Sequence, residues 1–314
     1  MNVLVTGAGG KLGRRLLPAL VKAGHSVRAL QFRTPIVCNG VEAVIGSVSD
    51  ARAVRQALQD MDVVCHLATS KEDAGFFDTS IKGTFNLLEG SREAGIKQFI
   101  LAGGDAALGI FFNPQPVPLD ECAPLRAYPG YYAFSKVMEE TMCRQYTLQY
   151  GLPVTFLRFS WIQDEDDLLC HMTFKEPDFG FPNWRNITEI PYPDGAGILL
   201  HPGGKPYKRH IVGVDDAVQS FLLALGNPAA LGETFNIAAP APFSYDVLAG
   251  YVARKLSLPL FEAVLPDYYD FSIDIGKARA VLGYRPRDDV FRIIDKAIEF
   301  RCSGDVRSSV RYGG

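Results

Sequence analysis

The chain has 314 residues, 47% of them hydrophobic and 21% charged, and a formal net charge of −3. Such values exclude a disordered chain, and the length favours one large domain with a smaller one appended. A near-neutral charge without basic runs excludes nucleic acid as the main partner, and apolar runs broken by Gly, Pro or charge exclude a membrane crossing.

Residues 2–6 read as a strand that runs straight into a glycine loop, with no basic leader of the kind a signal peptide carries; the expected location is the cytoplasm. In the loop, Thr6-Gly7-Ala8-Gly9-Gly10-Lys11-Leu12-Gly13, the residues Gly7, Gly10 and Gly13 have GxxGxxG spacing. The first glycine permits a tight turn, the second lets a pyrophosphate approach the backbone, and the third lets a helix pack close to the strand. The amides of the helix start, at Lys11 and Leu12, then face the phosphates. No Gly-Lys-Ser/Thr ends the run, which excludes a Walker A loop.

A helix is predicted over residues 11–23, with Leu12, Leu16, Leu17 and Leu20 on one face, and strands over 26–31 and 42–45. Asp50 caps a helix reaching about residue 59; strand 62–67, helix 76–94, strand 98–102, helix 130–150 and strand 153–159 follow. This alternation of near-continuous apolar strands with helices predicts an α/β fold: a doubly wound (Rossmann) parallel sheet covered on both faces. Its second strand ends Leu30-Gln31-Phe32-Arg33, with Gln31 where an acid would accept the ribose hydroxyls of NAD. Arg33, with Arg14 after the loop, offers guanidinium groups to a 2′-phosphate, so the expected cofactor is NAD or NADP with a lean to NADP.

Tyr132 and Lys136 are four apart on a predicted helix and share a face. An ammonium near the phenol favours the phenolate and makes the tyrosine a general acid/base for an alcohol or ketone. Lys136 also suits the nicotinamide ribose. Tyr131 has the wrong spacing and is expected to pack or to form part of the substrate wall.

Beyond Arg158 the texture changes. Residues 163–207 are rich in Pro, Gly and aromatics (Phe179, Phe181, Trp184, Tyr192) and read as a substrate wall or lid. Asp164-Glu165-Asp166-Asp167 reads as a solvated loop; four consecutive acids point in different directions and lack the alternating spacing of a calcium loop. Strand and turn over 209–216, helix 217–225, strand 233–238, helices 244–256 and 288–301, and a polar tail from Cys302 complete the reading. The domain division is residues 1–162 and 163–314, with about 209–240 returning to the first. The six cysteines form no CxxC pair and the five histidines no metal spacing, so no disulfide framework or metal is expected.

The glycine loop, His66-Leu67-Ala68, Gly83-Thr84-Phe85-Asn86-Leu87-Leu88, Tyr132 to Lys136, Leu157-Arg158, Val214-Asp215-Asp216, Phe235-Asn236-Ile237, and Asp274 through Lys277-Ala278-Arg279 to Leu282-Gly283-Tyr284-Arg285-Pro286 together resemble the extended short-chain dehydrogenase/reductase family, its NAD-dependent epimerase/dehydratase group, over nearly the whole chain. The resemblance implies cofactor contacts at Gly7, Gly10, Lys11, Leu12, Gly13, Gln31, Arg33, Ser47, Val48, Leu67, Ala68, Thr69, Ala102, Tyr132 and Lys136. It implies a substrate pocket around Ser70, Gly104, Asp105, Tyr132, Ser160, Trp161 and Arg209, for a sugar-like substrate, nucleotide sugars included, or another polar alcohol or carbonyl, with Arg209 at a position that meets a diphosphate in sugar-nucleotide enzymes, and a homodimer through the helices at 76–94 and 130–150. The sequence departs from the pattern at four places: Gly104 replaces the usual Ser or Thr, Ser160-Trp161 replaces an Asn, Ser47 an acid, and Ser80 an Asn. Asp105, Thr69 or Ser70 supplies a polar contact in place of the missing hydroxyl, or the substrate sits differently. An enzyme using Tyr132 is the first reading; a nucleotide-binding regulator or scaffold, silent because of Gly104, is the second.

Overall fold

Val3, Leu4 and Val5 have no solvent exposure, as a strand covered on both faces requires. The computed structural model describes residues 1–71, 73–174, 183–189 and 194–305. Its strands are β1 (Asn2–Thr6), β2 (Ser26–Gln31), β3 (Val41–Ile45), β4 (Val63–His66), β5 (Gln98–Gly104), β6 (Val154–Phe159), β7 (Trp161–Gln163), β8 (Ala196–Leu200), β9 (Lys208–Arg209), β10 (Ile211–Gly213), β11 (Thr234–Ile237), β12 (Phe243–Ser244) and β13 (Leu260–Val264). The helices are α1 (Lys11–Lys22), α2 (Ala51–Ala57), α3 (Gly83–Ala94), α4 (Tyr131–Tyr150), α5 (Asp167–Met172), α6 (Trp184–Ile187), α7 (Val214–Ala224), α8 (Tyr245–Leu256) and α9 (Val290–Ser303).

Seven strands form one sheet in the order β3-β2-β1-β4-β5-β6-β11, and every neighbouring pair is parallel. The fold is the expected doubly wound α/β sheet. Leu16, Leu17 and Leu20 of α1 pack with Ala217, Val218 and Phe221 of α7 on one face. Val54 of α2, Leu87 and Leu88 of α3, and Cys143 and Tyr146 of α4 cover the other. Register places Thr6 beside both Leu30 and His66, His66 beside Leu101, and Gly104 beside Phe159. Gly7, Leu67, Asp105 and Ser160 therefore follow their strands at the same sheet edge, where the strand order reverses and a crevice opens.

The matched motifs have structural work there. Thr84 Oγ1 donates to the Ser80 carbonyl at 2.6 Å, so it can only accept from His66 Nε2 at 2.9 Å. His66 Nδ1 is then the acceptor for Thr6 Oγ1 at 2.7 Å, and the ring is locked neutral; burial takes its pKa down to about 3. Arg158 is 1% exposed and forks onto Glu140 of α4 at 2.6 and 3.0 Å, tying β6 to that helix. Asp216 accepts the backbone amides of Arg287 and Asp288 at 2.9–3.0 Å.

Several expectations change in the second half. The helix expected at 217 begins at Val214, with Asp215 and Asp216 in its first turn, where the dipole favours acids. Two unexpected strands, β8 and β13, pair in parallel across Ala196 to Leu260 and Leu200 to Val264. They belong to a second core containing Leu168, Ile198, Leu248 and Ile294. Trp184, expected in the substrate wall or lid, is in that core at 2% exposure, and only a glycine at 197 leaves room for its ring. Cys302, expected to open a tail, is still in α9, which continues through Ser303. Phe179, Phe181, Tyr192 and residues 306–314 lie outside the described residues.

Candidate active site

The glycine loop is shaped by contacts that leave no room for side chains. Gly7 has φ +66°, and a Cβ there would lie 2.6 Å from the Ala68 nitrogen and the Leu67 carbonyl carbon. A Cβ on Gly13 would lie 2.5 Å from the Ala8 oxygen, so α1 packs directly on the loop. Gly10 caps α1 without any side-chain bond to its first amides, and its own amide closes the turn onto the Gly7 carbonyl at 3.0 Å. Leu12 is buried, and Leu67 and Ala68 flank the loop with Leu67 N bonded to the Thr6 carbonyl at 3.2 Å.

Other residues expected around a nucleotide are spread along the same edge. The Gln31 side chain accepts the Ile36 amide at 2.7 Å and so holds the turn after β2. Arg33 lies 5.1 Å above the Phe32 ring, and Arg14 is 3.9 Å from Glu165. Ser47 bonds Ser49 at 2.9 Å, and the buried Val48 packs beneath Gly83.

Tyr132 and Lys136 are in the first two turns of α4. The Lys136 ammonium is buried, 5.8 Å from the Tyr132 ring centre, 3.3 Å from the Ala102 carbonyl oxygen and 2.8 Å from Glu139. Glu139 is itself buried, which pushes its carboxyl pKa up, and it accepts from Thr69 at 3.3 Å. Thr69 is thereby drawn towards Glu139; Ser80 bonds it at 3.2 Å and accepts the Ser70 amide at 3.0 Å. A second lysine, Lys71, stands over the same ring, its ammonium 5.1 Å from the ring centre. Burial, then the charges of Lys11 and Lys136, bring its pKa down to about 8. Neither Lys71 nor Glu139 stood out in the sequence; Lys71 has no periodic partner, and Glu139 looks like one more acid on an amphipathic helix. Tyr131 is stacked 5.0 Å from Phe76 with one side left exposed.

The far end of the crevice is lined by side chains from distant elements. Gly104 is extended (φ −159°, ψ 159°), and a Cβ there would meet nothing nearer than 3.8 Å, so the backbone does not demand glycine. Asp105 is buried, with Ser160 Oγ at 3.1 Å. Arg209 is also buried, its guanidinium 4.1 Å from the Trp161 ring centre and bonded to the Tyr245 hydroxyl. His171 reaches the same hydroxyl at 2.7 Å and meets Trp161 edge-on at 4.9 Å. Burial drives the His171 pKa well below the ordinary value, with Arg209 adding to the effect. Tyr128, pushed up to about 12 by burial and by Asp105, closes the group. Tyr128, His171 and Tyr245 gave no sequence signal because only the tertiary fold brings them to Arg209.

The acidic run is not a solvated loop. Asp164, Asp166 and Asp167 are 8%, 2% and 7% exposed. Glu165 adopts φ +52°, and the turn sends the acids to different cations. Asp164 receives Arg15 at 2.7 and 3.2 Å, Asp166 receives Arg301 of α9 at 2.5 Å, and Asp167 pairs with Lys11 of the glycine loop. Those cations are over 130 positions away in sequence, which is why the run reads as surface. Lys11 thus directs its side chain at Asp167, leaving the loop face to backbone.

A family model described as the NAD dependent epimerase/dehydratase family matches residues 3–163. A ketoreductase of Stigmatella aurantiaca, which acts on 4-hydroxy-2-methyl-3-oxo-4-farnesyl-3,4-dihydroquinoline-1-oxide, is 30% identical over 91% of this chain and 92% of its own. UDP-glucose 4-epimerase of Mycolicibacterium smegmatis is 26% identical over 96% of this chain and 98% of its own. The crystal structure of a short-chain dehydrogenase/reductase superfamily protein from Agrobacterium tumefaciens with bound NAD superposes with a TM-score of 0.85 at 27% identity, covering 96% of this chain and 98% of that one.

Proposed function

The chain belongs to the NAD-dependent epimerase/dehydratase family of extended short-chain dehydrogenase/reductase enzymes, and from that premise we propose that it transfers a hydride between a nicotinamide cofactor and a compact, sugar-like or otherwise polar alcohol or carbonyl, with Tyr132 as acid/base. The observation that carries this reading is Tyr132 at the crevice with two ammonium groups beside its ring, Lys136 at 5.8 Å and Lys71 at 5.1 Å. The crowded glycines fit a dinucleotide: Gly7 and Gly13 exclude any Cβ, and the start of α1 is uncapped. Gly7, Gly10, Leu12 and Gly13 would hold the pyrophosphate, Ser47 and Val48 the adenine side, and Leu67, Ala68, Ala102 and Lys136 the nicotinamide side. Gln31 and Arg33 would meet the adenosine ribose, where Arg33 favours the 2′-phosphate of NADP.

Bound there, the nicotinamide supplies the hydride chemistry. The chain's own part is the proton. In oxidation the Tyr132 phenolate takes the proton of the substrate hydroxyl as a hydride leaves the same carbon; in reduction the phenol returns it. Lys136 and Lys71 favour the phenolate, since each ammonium stabilises the charged form of the oxygen. Arg209, covered by Trp161 and bonded to Tyr245, favours a compact substrate over a nucleotide sugar, whose diphosphate would need that guanidinium open. Phe85, Phe134 and Leu148 on α3 and α4 are exposed and support a homodimer through these helices.

The test begins with the nucleotide. We expect NADH or NADPH to bind reversibly, and Tyr132→Phe to keep that affinity while losing turnover by about 10²–10⁴-fold. Tightly retained NAD(H) would instead favour epimerisation or dehydration, where the hydride returns to its source. Full turnover by the phenylalanine variant would remove Tyr132 from the mechanism.

A further inference from the structure

Asp105 directly follows the glycine that replaces the expected hydroxyl, and it is 8% exposed. Charged and polar groups face it from every side of the crevice: Lys71 beyond β4, Tyr128 ahead of α4, Ser160 after β6, and Arg209 on β9. Its neighbour Ser160 is not a committed donor. Ser160 Oγ is 2.7 Å from the His210 carbonyl oxygen and 3.1 Å from Asp105 Oδ2. A hydroxyl has one proton and a carbonyl can only accept, so the nearer oxygen holds it. The backbone amides of Ala106 and Trp161 give the carboxyl partial support.

A buried carboxylate lacking a full set of donors is costly. Consistently, burial outweighs Arg209 and moves the carboxyl up to about 6. Next to it, Gly104 leaves the place of one methyl unfilled: a Cβ there would be in ordinary contact, its nearest neighbour at 3.8 Å. Lys71 connects Asp105 to the reacting tyrosine, because it stands over the Tyr132 ring and also feels the charge of Asp105.

We propose that Asp105 is a substrate-positioning residue: as a carboxylate it accepts a hydrogen bond from a hydroxyl on the substrate carbon adjacent to the reacting one, so the crevice selects vicinally hydroxylated substrates, sugars and other polyols, over their deoxy analogues. This rests on the hydride-transfer reading with Tyr132. A donor bound to a carboxylate favours its ionised form. Substrate affinity is therefore present above the carboxyl's pKa and lost as pH falls through it.

The experiment uses the full chain with saturating NAD or NADP. L-arabinose, D-galactose, 2-deoxy-D-galactose and cyclohexanol serve as probes, between about pH 5 and 9. For the wild type we expect KM for the hydroxylated sugars to rise about tenfold from about pH 7 to 5, and the deoxy sugar to be about 10–100-fold poorer in kcat/KM. Asp105→Asn should raise the sugar KM by a similar factor at neutral pH, change kcat less, flatten the acid limb and abolish the discrimination against the deoxy sugar. Cofactor affinity should stay within about twofold. An asparagine variant that keeps the wild-type KM, acid limb and discrimination overturns the proposal, as does turnover of cyclohexanol without turnover of any sugar. Should the variant not fold by circular dichroism, a wild-type enzyme with flat KM and no deoxy discrimination overturns it alone. Undiminished turnover by Tyr132→Phe would count against the underlying reading and not against Asp105.

Discussion

The two ends of the crevice are made of different material. At the glycine loop the surface is main chain: Gly7 and Gly13 admit no Cβ, and the one long side chain, Lys11, is turned onto Asp167. At the other end Asp105, Tyr128, Trp161, His171, Arg209 and Tyr245 build the surface from side chains on separate elements. A backbone surface suits a ligand whose shape is constant, and leaves little to vary. A side-chain surface can be rebuilt one residue at a time, so it is where family members can diverge in substrate while sharing a cofactor site.

The strongest way to break this division is at the tie between its halves. Asp167→Ala would leave Lys11, 6% exposed, as a buried charge without its carboxylate. Loss of about 3–5 kcal/mol in urea unfolding is expected. A loss below about 1 kcal/mol would show the pair to be solvated.

Asp105 sharpens the contrast, because a side-chain surface carries a stability cost that depends on pH. Burial pushes its carboxyl up to about 6, from the ordinary 3.8. A raised carboxyl pKa means that stability present below the unfolded value is lost as pH rises through the folded one. Asp105→Asn escapes that loss, so the variant should gain on the wild type between about pH 4 and 7, by about 2–3 kcal/mol. Thermal unfolding across that range reads it; a gap that does not change with pH would show the carboxyl to be well solvated.

Gly13→Ala probes the backbone end. Its methyl must displace the Ala8 carbonyl, now 2.5 Å away from where Cβ would be. A loss of about 1–3 kcal/mol is expected, together with weaker nucleotide binding, both measurable on one preparation by calorimetry. Normal binding would show the loop to be more yielding than its packing implies.

The same contrast explains what could be read from the residues in advance. The glycine spacing, the apolar strands and the Tyr132–Lys136 pair are local patterns, each repeated within a turn or a strand. They gave the sheet, its helices and the tyrosine's position. The acidic run was misread because its partners, Lys11, Arg15 and Arg301, are local to nothing near it in sequence. β8 was missed because Ala196–Leu200 is buried throughout and shows no alternation, and its partner β13 is some sixty positions on. Asp105 was legible from its place beside Gly104, but Lys71 was visible only as a single charge; the burial and neighbours of both come from the fold.

β11 has a further consequence. It comes from the second half of the chain, yet it is the outermost strand of the main sheet, lying on β6. A fragment ending before it would present β6, whose six residues are all buried here, as a bare apolar edge able to recruit strands from other molecules. While the chain is being synthesised, the first half is in that condition until residue 237 has emerged. Until then β6 has no strand of its own chain to cover that edge, so the second half completes the first half's sheet as well as adding its own core.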